Sequence, residues 1–487
     1  MDLLTISFTL IAGALCIYLF LTRNYNHFKK LGIPFVKPTP IFGNMTDVIL
    51  MRKSMPDVLQ KSYECHPDAK YVGLFDCTVP VILLKDPELI KSVTIKNFDS
   101  FPNHKFFTVS PSEPIFEKNL LALKDEAWRD MRTVLSPAFS GSKMKMMFKM
   151  LSECAVNFSD HLTGQNPQPD ELNMKELFGR YTLDVIATAA FGLNVDSMKD
   201  RNNDFYRIGK SVADFSGFKI VKIFILKSLP WLAKLFDIRF MDHKTTDFFT
   251  NVIESTITAR DAQGIVRPDM IHLMMQARDR KEKSSLSIMD MTAQAFIFLL
   301  GGYEAPSSTM CFAAHLLALN PDIQKKLQTE IDQVIEQSSD EITYEDLHAM
   351  KYLDAVVNET LRLFPPNPAT DRIGPKSFTL PPALPGLKSL EINPGQNIWI
   401  PIWSIHRDPK YFPNPEKFDP ERFNEDNKSK IIPMTYIPFG FGPRTCIANR
   451  FAIMEKTKYK VLLITNVDVT YHTVQIIMWS NGRLYKR

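Results

Sequence analysis

The residues best suited to chemistry lie in one turn-rich loop, residues 438–448, which leads into an apolar helix. Cys446 stands at the start of that helix, where free backbone N–H groups and the helix dipole stabilise a thiolate and make it a good metal ligand. Gly440 and Gly442 allow the loop backbone to approach a flat cofactor closely, and Arg444 lies within reach of an anionic group on such a cofactor. The pattern therefore predicts a metal-binding thiolate, with a glycine loop around a buried cysteine as the alternative.

Two further pairs of residues combine a charge with helical spacing. Glu359 and Arg362 are three residues apart, and Trp128 and Arg132 are four apart, so each pair shares one face of a predicted helix. An acid and a base at this spacing are most often a surface ion pair, which contributes under about 1 kcal/mol. Taken alone, these pairs do not define a site.

The loop around Cys446 resembles the haem-binding signature of the cytochrome P450 family, FxxGxRxCxG. Four of its specified positions are filled, and an alanine replaces the last glycine, which is a small-for-small change. The resemblance implies a haem b whose iron takes the Cys446 thiolate, a ligand that favours O–O cleavage. It implies that the haem-binding residues of the loop are Phe439, Gly440, Gly442, Arg444, Cys446 and Ala448.

Two charged segments far apart in the sequence resemble further motifs of that family. Glu359 and Arg362 match the ExxR motif, in which the acid and the base are buried, and residues 418–423 match a PERF-type segment. In the family, the arginine of that segment, here Arg422, joins the pair. The resemblance implies a buried structural cluster of Glu359, Arg362 and Arg422 that clamps the core beside the haem.

A third match concerns the haem propionates. Trp128 and Arg132 resemble the WxxxR helix that binds a propionate, and Arg372, after a pair of prolines, is a further propionate-binding candidate by the same analogy. With the anchor described below, the resemblance covers nearly the whole chain. Its details favour the microsomal, xenobiotic-oxidising branch and are closest to insect enzymes.

Membership of that branch implies a haem-thiolate monooxygenase. Electrons would come from NADPH through a cytochrome P450 reductase, with cytochrome b5 as a second candidate partner. One oxygen atom from O2 would enter a lipophilic substrate, either a xenobiotic or an endogenous lipid or hormone. The balance of 58 basic and 54 acidic residues is too even to indicate a nucleic-acid partner.

The oxygen-activating helix departs from the family pattern of a small residue, glycine, any residue, an acid and threonine. The acid is present as Glu304, but Ala305 occupies the alcohol position, and these two residues are our predicted catalytic positions. Alanine cannot hydrogen-bond to the water chain that delivers protons. Ser307 and Ser308 lie about 200 and 300 degrees further round the helix, so neither is an obvious substitute. Pro306 removes a backbone donor and is expected to kink the helix.

These departures leave alternatives to monooxygenation open. Some members of the family that rearrange hydroperoxides or use peroxide also lack the alcohol, and a non-catalytic haem-binding relative is the alternative outside enzymes. The tail after Cys446 is shorter than is usual in the family, in which it contributes a β-hairpin to the substrate pocket. The substrate is therefore less predictable than the haem.

The N-terminal segment Leu3–Thr22 is uncharged and has the length that spans about 30 Å of hydrocarbon as a helix. Arg23, Lys29 and Lys30 follow it and no Lys or Arg precedes it, so the positive-inside rule places the rest of the chain in the cytosol. Together with the resemblance, this predicts the endoplasmic reticulum membrane. We expect an anchor at residues 1–30 and a haem domain at residues 31–487, joined through the proline-rich segment 34–43.

The elements that must position these residues are mainly α-helical with a minor β portion, which is the fold class that the resemblance also implies. Apolar residues at helical spacing predict helices at 125–135, 142–161, 174–191, 247–262, 290–318, 321–337 and 345–363, and β-branched runs predict strands within 71–84 and 389–402. Hydrophobic residues make up 45% of the 487 residues, which excludes disorder for the bulk of the chain. The six cysteines show neither zinc-site spacing nor a disulfide framework.

Overall fold

A computed structural model describes most of the chain. The described residues are 3–105, 113–164, 172–214, 219, 222–223, 225–226, 230–279, 286–338, 342–455 and the short strands at 474–475, 478–480 and 483–485. Statements below refer to these residues. The phenylalanine-rich segment 215–224, where helical spacing favours core positions over substrate contacts, lies largely outside them, and the lysine-rich segment 456–460 lies wholly outside them.

Helices dominate the fold, as the apolar periodicity predicts. In chain order they are α1 Leu3–Thr22, α2 His27–Leu31, α3 Thr46–Ile49, α4 Met55–Glu64, α5 Pro87–Lys91, α6 Pro114–Glu117, α7 Asp125–Leu135, α8 Gly141–Thr163, α9 Met174–Ala190, α10 Asp204–Ala213, α11 Pro230–Leu235, α12 His243–Gln263, α13 Met270–Asp279, α14 Ile288–Leu319, α15 Pro321–Gln337, α16 Tyr344–Ala349, α17 Lys351–Leu363, α18 Ile402–Ile405, α19 Glu425–Lys428 and α20 at 449–455. Short 3₁₀ turns lie at Phe98–Ser100, Ser136–Phe139, Pro420–Phe423 and Gly442–Arg444, and a π-helical turn lies at Ser92–Lys96.

The minor β portion is a four-stranded sheet with three small two-stranded ones. The strands are β1 Tyr71–Asp76, β2 Val79–Leu84, β3 Leu172–Asn173, β4 Thr370–Arg372, β5 Phe378–Leu380, β6 Leu390–Ile392, β7 Asn397–Ile400, β8 Val474–Gln475, β9 Met478–Ser480 and β10 Arg483–Tyr485. The main sheet has the order β1-β2-β7-β4: β1 and β2 form an antiparallel hairpin, β2 runs parallel to β7, and β4 closes the sheet antiparallel to β7. Arg372 ends β4, which is an edge strand of this sheet.

Two hydrophobic cores hold these layers together. The larger core surrounds α14, whose Phe296 and Leu299 are fully buried and which packs against α6, α9, α12 and α13. The smaller core lies under the main sheet and includes Ile82 and Trp399, both fully buried. The cavity described below lies where elements of the two cores meet.

The prediction of one long helix at 345–363 is wrong in one respect, because the structure divides this helix at Met350. There the backbone leaves the helical region (φ −73°, ψ 86°). The carboxylate of Glu330, on α15, accepts hydrogen bonds from the amides of Tyr352 and Leu353 at 2.8 Å each and so caps the first turn of α17. A partner distant in sequence therefore sets the start of the helix that carries Glu359.

The central helix α14 begins with a capping box between Ser287 and Asp290 and continues through Pro306 to Leu319. It packs closely on α9, where a Cβ atom added to Gly302 would lie 2.2 Å from Ile186. A side chain at position 302 would therefore displace the Ile186 side chain where the two helices meet. Pro306 does not end the helix, although it cannot donate the usual hydrogen bond to the Gly302 carbonyl.

Candidate haem site

One cavity of about 480 Å³ collects most of the predicted site residues. Its walls come from α7, α9 and α14, the segment 366–372 and the loop before α20. Of the predicted residues, it is lined by Trp128, Arg132, Ala305, Arg372, Phe439, Gly440, Arg444, Cys446 and Ala448. The sequence motifs, which are separated by more than 300 residues, thus meet at one place.

The loop before α20 presents Cys446 to this cavity. The Cys446 amide donates to the Phe439 carbonyl oxygen at 2.9 Å, which closes the loop on itself just before the helix begins. Gly440 has φ +70°, and a Cβ atom added there would meet nothing within 4 Å, so its backbone faces open space in the cavity. The sulfur therefore lies beside a helix N-terminus and a bare stretch of backbone.

Gly442 is placed differently from our prediction, because it does not line the cavity. Its φ is also +70°, and an added Cβ atom would lie 2.0 Å from the carbonyl oxygen of Thr94 in the π-helical turn. The residue must therefore be glycine so that the loop can pack against residues 92–96. Gly442 therefore affects a cofactor only indirectly, by setting the position of the loop.

Three arginines line the cavity, Arg132, Arg372 and Arg444, together with the acidic residues Asp371 and Glu455. Burial, followed by the charges of Arg372 and Arg132, lowers the pKa of Arg444 to about 9. Burial likewise lowers the pKa of Arg372 to about 10 and also lowers the pKa of Arg132. Cations that are buried together and repel one another are arranged to receive an anion.

Some guanidinium N–H groups of these arginines have hydrogen-bond partners among the described residues and others do not. The guanidinium of Arg444 stacks on the Trp128 ring at 4.0 Å and donates to the carbonyl oxygens of Pro102 and Leu123 at 2.8 and 2.9 Å, so it also holds the chain before α7 in place. Arg372 Nε, by contrast, is buried and has no hydrogen-bond partner among the described residues. A cofactor with carboxylates beside a metal that a thiolate ligates would fit this set of donors.

Two polar residues of the cavity wall were missed by the sequence analysis. His104 lies 3.0 Å through its Nδ1 from the Asp371 carboxylate, and Arg372 approaches the same ring at 3.4 Å. Burial lowers the pKa of His104 although Asp371 opposes the shift. The only sequence signal was the position of Asp371 directly before Arg372.

Trp128 and Arg132 are positioned by the first turn of α7. The backbone of Asp125 there has φ +48°, its amide donates to Asn103 Oδ1 at 2.9 Å, and Asn103 Nδ2 donates back to its carboxylate at 3.0 Å. This reciprocal pair fixes α7 against the segment that precedes it. The i, i+4 spacing then brings Trp128 and Arg132 to the cavity side together.

The structure does not bring Glu304 to the cavity wall. Its carboxylate accepts from Lys175 Nζ at 2.8 Å and from Ser308 Oγ at 2.9 Å, and Lys175 also donates to the hydroxyl oxygens of Ser307 and Ser308. These four residues join α14 to the start of α9. The wall itself is made by Ala305 with the neighbouring residues Gly301, Gly302 and Pro306, which carry no hydroxyl group.

The charged cluster that the motifs predict is assembled and buried. Glu359 and Arg362 are both fully buried, and two hydrogen bonds of 2.7 and 2.8 Å join their side chains. Arg422 Nε lies 3.5 Å from the same carboxylate, and the Asp419 amide donates to it at 2.9 Å. None of the three charged residues lines the cavity, so the cluster has a structural position.

A buried histidine connects this cluster to the cysteine loop. His406 Nδ1 lies 3.2 Å from the carbonyl oxygen of Arg362, and its Nε2 accepts from the Ile437 amide at 2.9 Å. Burial lowers the pKa of His406 to about 3, so the ring is neutral and can accept at Nε2. The Ile437 carbonyl in turn accepts from Gly440 in the cysteine loop.

Comparison with known proteins shows the family of this chain. A family model described as Cytochrome P450 matches residues 33–483. Cytochrome P450 9e2 of Blattella germanica is 43% identical over 467 residues, which cover 90% of this chain and 87% of that protein. Probable cytochrome P450 9f2 of Drosophila melanogaster is 41% identical over 463 residues, with 91% and 89% covered.

A mainly helical fold with a cysteine beside an arginine-lined cavity is the arrangement expected of a haem-thiolate protein. The matches show that the chain belongs to the cytochrome P450 family. The family, the fold class and the similarity to insect enzymes are thereby confirmed. The chain is a monooxygenase-type oxidoreductase whose cofactor is haem b with a cysteine ligand.

Proposed function

We propose that this chain inserts one oxygen atom from O2 into lipophilic substrates with electrons from NADPH, delivered by a cytochrome P450 reductase, and that Cys446 is the iron ligand. One observation carries the assignment of the ligand: Cys446 lines a cavity that it shares with Arg132, Arg372 and Arg444. Among the described residues, no cluster of three or more His, Cys, Asp and Glu side chains offers another metal site.

Each part of the cavity has a role in this proposal. Haem, when bound, supplies oxygen activation. Cys446 supplies the thiolate, while Arg132, Arg372 and Trp128 bind and orient the propionates. Arg444 adds positive charge and holds the chain before α7. Phe439 and the Gly440 backbone pack against the ring, and Ala448 leaves room for it.

This chain differs from the usual family pattern in the proton supply on the α14 side of the cavity. Ala305 offers no hydroxyl, and Ser307 and Ser308 are hydrogen-bonded to Lys175 and Glu304. We therefore infer that proton delivery is loosely controlled, so that part of the electron flow ends as hydrogen peroxide.

The partners follow from the same proposal. We propose that α1 anchors the chain in the endoplasmic reticulum membrane with the haem domain in the cytosol, because this helix is apolar and long enough to cross a membrane. Reductase, and cytochrome b5 as a second donor, would dock on the cysteine side. The basic candidates for that contact are Arg129, Lys143, Lys145, Lys428 and Lys430.

The decisive experiment replaces Cys446 by histidine. The reduced protein with carbon monoxide should absorb at about 450 nm, and Cys446→His should lose that band. Cys65→His, at an exposed cysteine outside the cavity, is the matched control and should keep it. Retention of the band in Cys446→His would exclude Cys446 as the ligand.

Activity measurements separate the alternatives. NADPH with reductase should support oxidation of a lipophilic substrate. Turnover with a hydroperoxide but not with NADPH would indicate an isomerase or peroxygenase, and a sound 450 nm band without either activity would indicate a haem-binding protein that is not an enzyme.

A further inference from the structure

Gln294 is a fully buried polar residue of α14 that does not line the cavity. Both ends of its side-chain amide are hydrogen-bonded to one segment before α7. Gln294 Nε2 donates to the Lys118 carbonyl oxygen at 2.6 Å, and Gln294 Oε1 accepts from the Leu120 amide at 2.9 Å. A buried side-chain amide that is satisfied in this way fixes the register of the backbone that it meets.

The segment 118–123 is held to α14 at a second point and is braced internally. Lys118 Nζ donates to the Asp290 carboxylate at 2.9 Å, and Asp290 precedes Gln294 by four residues, so both acceptors lie on one face of α14. Asn119 Oδ1 accepts from two backbone amides of the same segment at 3.0 Å each. The segment is thus a stiff turn, in which the displacement of one residue moves its neighbours.

The same segment supplies hydrogen-bond acceptors to Arg444. Arg444 Nη1 donates to the Leu120 carbonyl oxygen at 3.3 Å, and Nη2 donates to the Leu123 carbonyl oxygen at 2.9 Å. Leu120 also lines the cavity. The amide of Leu120 is therefore bonded to Gln294 and its carbonyl to Arg444, so one residue connects α14 with the cysteine loop.

These acceptors decide where the positive charge of Arg444 lies. A guanidinium is a planar group whose five N–H donors keep a fixed geometry, so acceptors on two of its nitrogens determine the direction of the remaining N–H groups. The Trp128 ring packs on this group at 4.0 Å. Because Gln294 holds Leu120 from α14, removal of the Gln294 amide should let the Leu120 carbonyl move away from Arg444.

We propose that Gln294 is a positioning residue for the haem site, which holds the Leu120 backbone and thereby fixes the positive charge of Arg444 beside the haem. Gln294 itself lies outside the cavity wall, so its effect is transmitted through Leu120 and Arg444. This inference rests on the haem site proposed above.

A double-mutant cycle on the full haem-loaded chain tests the proposal. The rate of haem loss to an excess of apomyoglobin is measured for the parent chain, Gln294→Leu, Arg444→Lys and the double variant. Leucine is similar in size to glutamine but forms no hydrogen bond, so Gln294→Leu should lose haem about tenfold faster than the parent chain. Lysine keeps the charge at position 444 but not the forked donors, so the same change should accelerate haem loss only about twofold in the Arg444→Lys background. Equal acceleration in both backgrounds would overturn the inference, because Gln294 would then act through stability alone.

Two further variants keep the test decisive. Thr292→Val is the matched control, because Thr292 is also fully buried on α14 but its hydroxyl donates within the helix, to the Ile288 carbonyl at 2.9 Å. It should leave the rate of haem loss unchanged. In Gln294→Glu at about pH 6, burial favours the neutral carboxyl, which can accept from Leu120 and donate to Lys118 and should restore most of the haem retention.

A Gln294→Glu protein that loses haem as fast as Gln294→Leu would contradict the inference, as would equally fast loss from Thr292→Val. Absence of the 450 nm band from the parent chain would instead refute the haem site proposed above, and the inference with it.

Discussion

Replacing Glu359 by alanine should destabilise the haem domain strongly, because it leaves the fully buried guanidinium of Arg362 without its counter-ion. Two hydrogen bonds to Arg362 are lost, at 2.7 and 2.8 Å, together with the acceptor of the Asp419 amide. Hydrogen bonds to charged groups contribute about 1.5 to 3 kcal/mol each, and breaking a buried pair costs about 3 to 5 kcal/mol. Arg362 keeps its bond to the His406 carbonyl, so we expect a loss of about 3 to 5 kcal/mol.

Urea unfolding of the purified chain, followed by haem absorbance and tryptophan fluorescence, measures this loss. A loss of that size is a large part of the about 5 to 15 kcal/mol that typically stabilises a domain, so haem and soluble protein should decrease together. Glu359→Gln keeps an acceptor oxygen and should cost less than Glu359→Ala. The matched control is Arg207→Ala, which removes an acid–base pair of the same i, i+3 spacing with Asp204 on the surface and should change the free energy of unfolding by less than about 1 kcal/mol.

The reasoning would be refuted by a Glu359→Ala protein that keeps its haem and unfolds within about 1 kcal/mol of the parent chain. That result would mean that water or another group replaces the carboxylate at Arg362. A loss of haem without any loss of stability would instead point to a direct role of Glu359 at the cofactor.

Four further predictions concern proton delivery, the charge of the cavity, the anchor and the reductase. Ala305→Thr, best combined with Pro306→Ser so that the new hydroxyl is not misdirected, should raise the product formed per NADPH by up to roughly 100-fold. The ratio of product to hydrogen peroxide measures this change. Tight coupling of NADPH consumption to product formation in the parent chain would contradict the prediction. Haem affinity should fall as the pH rises through about 9 to 10, because burial lowers the pKa of Arg444 to about 9 and that of Arg372 to about 10. Loss of either charge weakens the binding of an anion. Titration of the apoprotein with haem between about pH 7 and 10.5 measures the affinity, and a flat profile would argue against propionate binding at these arginines. Deleting residues 1–22 should release much of the protein from vesicles, and unchanged sedimentation would contradict this. Raising the salt concentration should weaken reductase binding, because exposed charges are screened over roughly 10 Å at 0.1 M. An affinity that does not depend on salt would contradict this second expectation.

The sequence predicts elements best where local periodicity decides them. The bounds of α7 and α15 agree with the predicted ranges, since both helices have regular apolar faces. The predicted strands at 71–84 and 389–402 each divide into two, β1 with β2 and β6 with β7, because turns at Cys77 and Gly395 need positive φ. The division at Met350 depends on Glu330, twenty residues earlier, and periodicity does not report such a partner.

The candidate site was predictable where a motif fixes both residue and spacing, as for Cys446, Arg444, Trp128 and Arg132. Glu304 shows the limit, because its position on α14 was predicted but its side-chain partner, Lys175, comes from another helix. His104 was missed because only the packing of β4 against its segment brings it to the cavity.

A proline inside α14 also has a consequence for the design of ligands. In an uninterrupted helix the carbonyl oxygen at position 302 would be occupied by the amide at position 306, but Pro306 has no amide hydrogen. Gly302 and Pro306 both line the cavity, so the carbonyl that lacks this helical partner belongs to a residue of the cavity wall. An inhibitor that combines an iron-binding azole with an N–H or O–H group aimed at that oxygen should bind this enzyme more tightly than it binds a related enzyme whose helix has an amide at that point. Selectivity would then depend on a backbone atom, which side-chain substitutions in the pocket do not remove.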